Sequence, residues 1–244
     1  MRNQGVETSP QVYARIAGML YLIMIVLGIV QELFVRGSIV VPGDVAATAA
    51  NLRSMESLWR FGVAAELLLV IITTVLALII YLLTRPVSKD LALLALLFNM
   101  LAITVETAYS LQLLEALFPL GNAAYLKAFT AEQLYVLANL SIRAHSIGFG
   151  IALLLFGPFF LVTGNLIFRS GYFPKALGIL YMIPGISYLT SSFALILAPT
   201  FADRFYFIIA GPALIGELSL CLWLLVKGVN VTKWKEKVNT WRVS

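Results

Sequence analysis

Six apolar runs, each long enough to cross a bilayer, constrain this chain more than any other feature. A helical span takes about 20 mostly apolar residues. The runs Tyr13–Val35, Leu58–Thr84, Leu91–Leu114, Ala144–Phe168, Lys175–Ala198 and Phe205–Lys227 all meet that length. Composition agrees: 61% of the 244 residues are hydrophobic and only 12% are charged. A soluble domain is about half apolar and about a quarter charged, and a small globule still exposes much of its surface, so lipid must solvate much of this chain. The first run is followed by Glu32 and Arg36 with no small-residue cleavage site between, so it reads as a retained span rather than a leader. The expected fold is all-α: one integral-membrane domain over residues 1–244, a polytopic bundle of about six spans with short interfacial helices on the outer side.

The basic residues set an orientation. With the N-terminus cytoplasmic, that side holds Arg2, Arg15, Arg85, Lys89, Arg169, Lys175, Lys227, Lys233, Lys235, Lys237 and Arg242. The other side holds only Arg36, Arg53, Arg60, Lys127, Arg143 and Arg204. That bias is the one the positive-inside rule requires, and an even number of spans returns the C-terminus to the same side. The net charge of +5 therefore belongs to membrane-facing flanks and not to a nucleic-acid surface.

The connections carry their own signals. Pro42-Gly43-Asp44 reads as a turn ending in a helix N-cap, with a short surface helix beyond it. Thr130 and Gln133 form a capping-box pattern, which starts the fourth helix well outside the bilayer. The tail, residues 228–244, mixes Trp234 and Trp241 with Lys233, Lys235, Lys237 and Arg242. Its expected place is the cytoplasmic headgroup layer, against anionic lipid headgroups; a disordered basic tail is the alternative.

Ionisable side chains inside a bilayer cost a few kcal/mol or more at its centre, so they mark candidate sites. Glu66 and Glu106 each lie about eight residues, or roughly 12 Å, below the outer ends of the second and third spans. Glu217 lies near the middle of the sixth, and Glu32 and His145 near the outer edges of the first and fourth. If they face one another, they line an acidic pocket opening outward, with Arg60 and Arg143 as counter-charges. Each acid can instead be a hydrogen-bonded packing element.

Pro158, Pro184 and Pro212 fall inside the last three spans and are flanked by Gly157, Gly185 and Gly211. Each removes one helix hydrogen bond and frees a carbonyl, so bends are expected there. Gly18-Met19-Leu20-Tyr21 and Gly178-Ile179-Leu180-Tyr181 make a weak internal echo, each three residues after a cation.

Familiar chemistry is mostly missing. There is no phosphate loop, dinucleotide fingerprint or nucleophile elbow. One cysteine, Cys221, and one histidine, His145, leave no disulfide, cysteine metal site or histidine-rich centre within one chain. No metal or other cofactor is expected.

The motifs Arg15-Ile16-Ala17-Gly18-Met19-Leu20-Tyr21, Val35-Arg36-Gly37 with Pro42-Gly43-Asp44, Asn51 and Arg60, then His145, Phe156-Gly157 and Phe168-Arg169-Ser170-Gly171-Tyr172-Phe173-Pro174, and finally Gly216-Glu217-Leu218-Ser219-Leu220 run through nearly the whole chain. Their combination resembles the prokaryotic membrane family catalogued as domain of unknown function 4386. The resemblance implies a single multi-pass domain in a prokaryotic plasma membrane and brings no activity with it. It includes Asp44, Asn51, Arg60, His145 and Glu217, which adds Asp44 and Asn51 to the candidate ligand-binding set.

Three classes of function fit. The first is binding or movement of a small ligand or ion through the acidic pocket. The second is an intramembrane lipid-modifying enzyme with a Glu as acid or base. The third is a structural or regulatory membrane subunit. The missing nucleophile motif leans against hydrolysis.

Overall fold

The computed structural model describes residues 9–243, with side chains given except at 202–207, 209, 210 and 241–243. Arg2 lies outside the described residues, as do the side chains of Arg204, Trp241 and Arg242. Among the described residues there is no strand. The helices are α1 (Pro10–Val30), α2 (Gly37–Ile39), α3 (Val45–Ser54), α4 (Glu56–Thr84), α5 (Lys89–Glu115), α6 (Ala131–Ser170), α7 (Lys175–Leu197), α8 (Pro199–Val226) and α9 (Val231–Val243). A π-helical turn, Gln31–Arg36, joins α1 to α2 without a break.

Five helices are long and apolar enough to cross a membrane, and the C-terminal part of α8 with α9 makes a sixth candidate bent by 102°. Lipid-solvated faces are evident along them: Ile71, Leu97, Leu101, Ile186 and Ile215 are all more than half exposed. In water such a surface would be an association site; in a bilayer it is the ordinary outside. The protein is an all-α integral membrane protein.

The chain forms two compact units. One comprises residues 24–72 and 103–152. Its core is Val35, Ile39, Leu52, Trp59, Val63, Leu113, Ala116, Leu117 and Ile142. Buried Trp59 donates its indole N–H to Leu113 O at 2.7 Å, which answers the polar atom of the largest core side chain. Gly43 sits at φ +80°, a value favouring glycine, and makes the turn into α3. Asp44 caps α3 by accepting from Ala47 N at 2.9 Å. Thr48 is buried with Ala49 and Leu52, because its hydroxyl accepts from Val41 N and ties the turn to the helix. The capping box at Thr130 and Gln133 forms in both directions.

The other unit comprises residues up to 23, 73–102 and 153 onward. There α6 and α7 approach through paired glycines. A Cβ at Gly157 or Gly185 would crowd the other's carbonyl, and Gly164 and Gly178 repeat the relation seven residues along each helix. Close small-residue contact of this kind is a main source of helix association in lipid. Both α6 and α7 run on past Pro158 and Pro184, and α8 past Pro212. At the chain's ends, Gln11 donates to Lys227 O and accepts from Val229 N, and Arg15 donates to Leu225 O. The first and last spans therefore share an end. The tail is helical: Trp234 donates to Leu83 O beside Tyr172, so two side chains satisfy one helix-terminal carbonyl.

Candidate functional site

The residues that build the core of the first unit continue, turn by turn, into a polar centre. On α4, Trp59 and Val63 lead to Glu66; on α5, Leu113 leads back to Ser110 and Glu106; on α6, Ala138 and Ile142 lead to His145. Each step is three or four residues, so one helix face carries both the apolar packing and the site.

Glu66 is the hub, and it is buried. Gln31 Nε2 donates to its Oε2 at 2.7 Å, and Ser110 Oγ donates to its Oε1 at 2.5 Å. His145 Nε2 lies 2.7 Å from the same Oε1. On the far side of the imidazole, Arg36 Nη2 lies 2.7 Å from Nδ1. A guanidinium nitrogen only donates, so Nδ1 is an acceptor and carries no proton. The ring of neutral His145 then bears its hydrogen on Nε2 and donates it to Glu66. With three groups donating to it, Glu66 takes the ionised, acceptor-only form. Arg36 and Glu66 thus stand as opposite charges on either side of one neutral ring.

The π-helical turn makes this possible. Gln31 and Arg36 are five residues apart. An α-helix, at 3.6 residues per turn, would put them about 140° apart around the axis. Closing the backbone bonds five residues along instead brings such a pair onto one face, and both reach the Glu66–His145 pair.

Glu106, one turn before Ser110, is half-buried and feels the charge of Glu66. Among the described residues no donor is bonded to its carboxyl. Tyr109 packs its ring on Gly148, where any Cβ would overlap it. A void of about 10 Å³, bordered by Gln31, Arg36, Trp59 and Gly62, adjoins the centre; that is room for a single water. No cluster of three or more His, Cys, Asp or Glu side chains able to hold a metal occurs among the described residues.

The remaining candidates are placed elsewhere. Glu32 is 3.9 Å from Arg36 and largely exposed. Asp44 caps α3, and Asn51 donates to Ile39 O. Arg60 pairs with Glu56 at 2.7 Å, and Arg143 is exposed on α6. Glu217 belongs to the other compact unit. There the Tyr188 hydroxyl donates to its carboxyl, and Tyr21 donates to the Tyr181 hydroxyl at 3.3 Å. The tyrosines of the two echoed segments, Tyr21 and Tyr181, are thus in contact. Sequence reasoning missed Gln31, Arg36 and Ser110 as site members. Only Arg36 left a trace, as a cation near a span end, because no residue pattern announces a π-helical turn.

The family model for domain of unknown function 4386 matches residues 16–228. The chain belongs to this family. The match takes in every member of the Glu66 centre and the Glu217–tyrosine cluster. An Archaeoglobus fulgidus protein described as uncharacterized is 28% identical over 176 residues, covering 71% of this chain and 87% of its own. No solved structure matches.

Proposed function

We propose that this family member is a proton-handling membrane protein, with the Glu66–His145 pair as its proton-binding site and Arg36 as the group that responds. The contact of Arg36 with His145 Nδ1 carries this reading. A proton arriving at Nδ1 turns the acceptor in direct contact with Arg36 into a donor. Imidazolium and guanidinium in direct contact repel, so Arg36 must leave the ring. Glu32, one helical turn earlier and already 3.9 Å away, is the partner that receives it. Protonation thereby exchanges one Arg36 contact for another and pulls on the π-helical turn. Two charged groups contact the ring, Arg36 from the π turn and Glu66 from α4; Glu32 stands 3.9 Å from Arg36, and Glu106 on α5 feels the charge of Glu66. The small size of the adjoining void favours a proton and its water over a larger ion or solute.

The Lys and Arg bias supports both termini being cytoplasmic, and membership of the family supports a prokaryotic plasma membrane. In that setting α9, with Val238 buried and Lys233, Lys235 and Lys237 along it, rests against anionic headgroups.

His145 is the single histidine, so ¹⁵N-histidine labelling of the purified protein gives one pair of ring signals. The expected spectrum at neutral pH is the Nε2–H tautomer, converting to imidazolium on acidification. Arg36→Met removes the donor from Nδ1 and should shift that nitrogen's signal, while Glu66 keeps the hydrogen on Nε2. An Nδ1–H tautomer in the native protein, or a ring insensitive to pH and to Arg36→Met, would sink the proposal.

A further inference from the structure

Arg60 does not join the Glu66 centre; it lines a separate cleft of about 300 Å³ in the same compact unit. Leu52, Leu117 and Leu120 supply apolar lining, and Arg53, Glu56, Arg60, Asn122 and Tyr125 supply polar groups. Clefts of this size and mixed lining are typical of small-ligand sites. Glu56 is already engaged by Arg60 at 2.7 Å, and the pair is neutral. Arg53 lies over the Tyr135 ring at 5.5 Å, a contact that uses the guanidinium face and leaves its edge donors free. The cleft therefore holds one net positive charge, with planar donors suited to phosphate oxygens. The surrounding aromatics are exposed, Phe118 by 60% and Tyr125 by 69%. They stand at the end of apolar spans, where aromatic rings gather at headgroup depth.

We infer that this cleft binds an anionic phosphate ester, with Arg53 and Arg60 on the phosphate and the leucines beneath an apolar portion, as a phospholipid headgroup presents them. The probes are dihexanoylphosphatidylglycerol, dihexanoylphosphatidylcholine and glycerol 1-phosphate, added to the full-length protein in neutral detergent and read by thermal unfolding. The phosphatidylglycerol should raise the midpoint by a few degrees, and the choline lipid by clearly less. Arg53→Gln/Arg60→Gln should abolish the shift and lower the ligand-free midpoint only slightly, since the Arg60–Glu56 pair and the Arg53–Tyr135 contact it removes involve exposed arginines. Asn122→Asp, which adds a negative charge at an exposed loop position, should weaken it in the same direction. An equal shift from glycerol 1-phosphate would assign the site to soluble phosphate esters, with the arginine chemistry intact. No shift with any probe, a shift that survives the double arginine variant, or one removed instead by Lys233→Gln/Lys235→Gln/Lys237→Gln would overturn the inference.

Discussion

Glu66 offers the sharpest test of the polar centre, because Gln and Leu at this position separate hydrogen bonding from mere volume. The carboxylate accepts from Gln31, Ser110 and His145. In Glu66→Gln the amide oxygen still accepts from Ser110 and His145, and Gln31 can turn its own amide to accept from the new NH₂. The hydrogen-bond loss should be below about 1 kcal/mol. Glu66→Leu accepts nothing. Ser110 retains Glu106 O, at 3.0 Å, as an alternative, but the donors of Gln31 and His145 are stranded. Interhelical side-chain bonds in membranes average about 0.6 and reach about 1.7 kcal/mol, and stranded buried donors cost about 1–3 kcal/mol each. The expected loss for Leu is about 2–5 kcal/mol. Unfolding in mixed micelles, driven by a denaturing detergent and followed by tryptophan fluorescence, measures both, and Trp59 sits in the core beside the centre. A Leu variant within about 0.5 kcal/mol of wild type, or a Gln variant as damaged as Leu, would refute this account of how Glu66 is held.

Two further outcomes follow from the packing and the topology. Gly148→Ala should destabilise by about 1–3 kcal/mol through overpacking against the Tyr109 ring, and Tyr109→Ala in the same chain should recover part of that loss; strict additivity of the two in a double-mutant cycle would deny the contact. In a Cys221→Ala background, single cysteines at 47 and 125 should react with an impermeant thiol reagent from outside intact cells, and those at 88 and 240 should not; labelling at 240 with none at 47 would reverse the orientation.

The spans were legible because their signal is cumulative. A run of 20 apolar residues outweighs any single polar one, so Glu66 and Glu217 did not obscure α4 or α8. The capping residues Asp44 and Thr130 were legible for the opposite reason, since each acts on backbone three residues away. The site was legible only in part. Glu66, Glu106 and His145 betray themselves by the cost of a polar group in lipid. What each touches depends on helix rotation and on which turns depart from 3.6 residues, and one sequence carries no trace of either. Arg60 illustrates the loss: charge and depth suggest a counter-ion for the acids, yet its helical neighbour Glu56 claims it.

The two buried acids are held in physically different ways, and the difference bears on which can exchange a proton. Glu217 lies among phenols and aromatic rings: Tyr188 bonds to it, Tyr21 bonds to Tyr181, and Phe160 packs on Tyr181 and Tyr188. Among the described residues no cation is bonded to it. Glu66 is coupled through one imidazole to an arginine that has a second carboxylate within reach. A change of one proton at that ring reverses the sense of a hydrogen bond and releases a charge. On the proposed reading the ring is where a proton moves a charged side chain, and the Glu217 cluster is assigned to packing in its own unit. Removing the ring's acceptor should thus silence Arg36 without disturbing Tyr188. If His145→Gln left the environment of Arg36 unchanged while altering that of Tyr188, this assignment of roles would have to be exchanged.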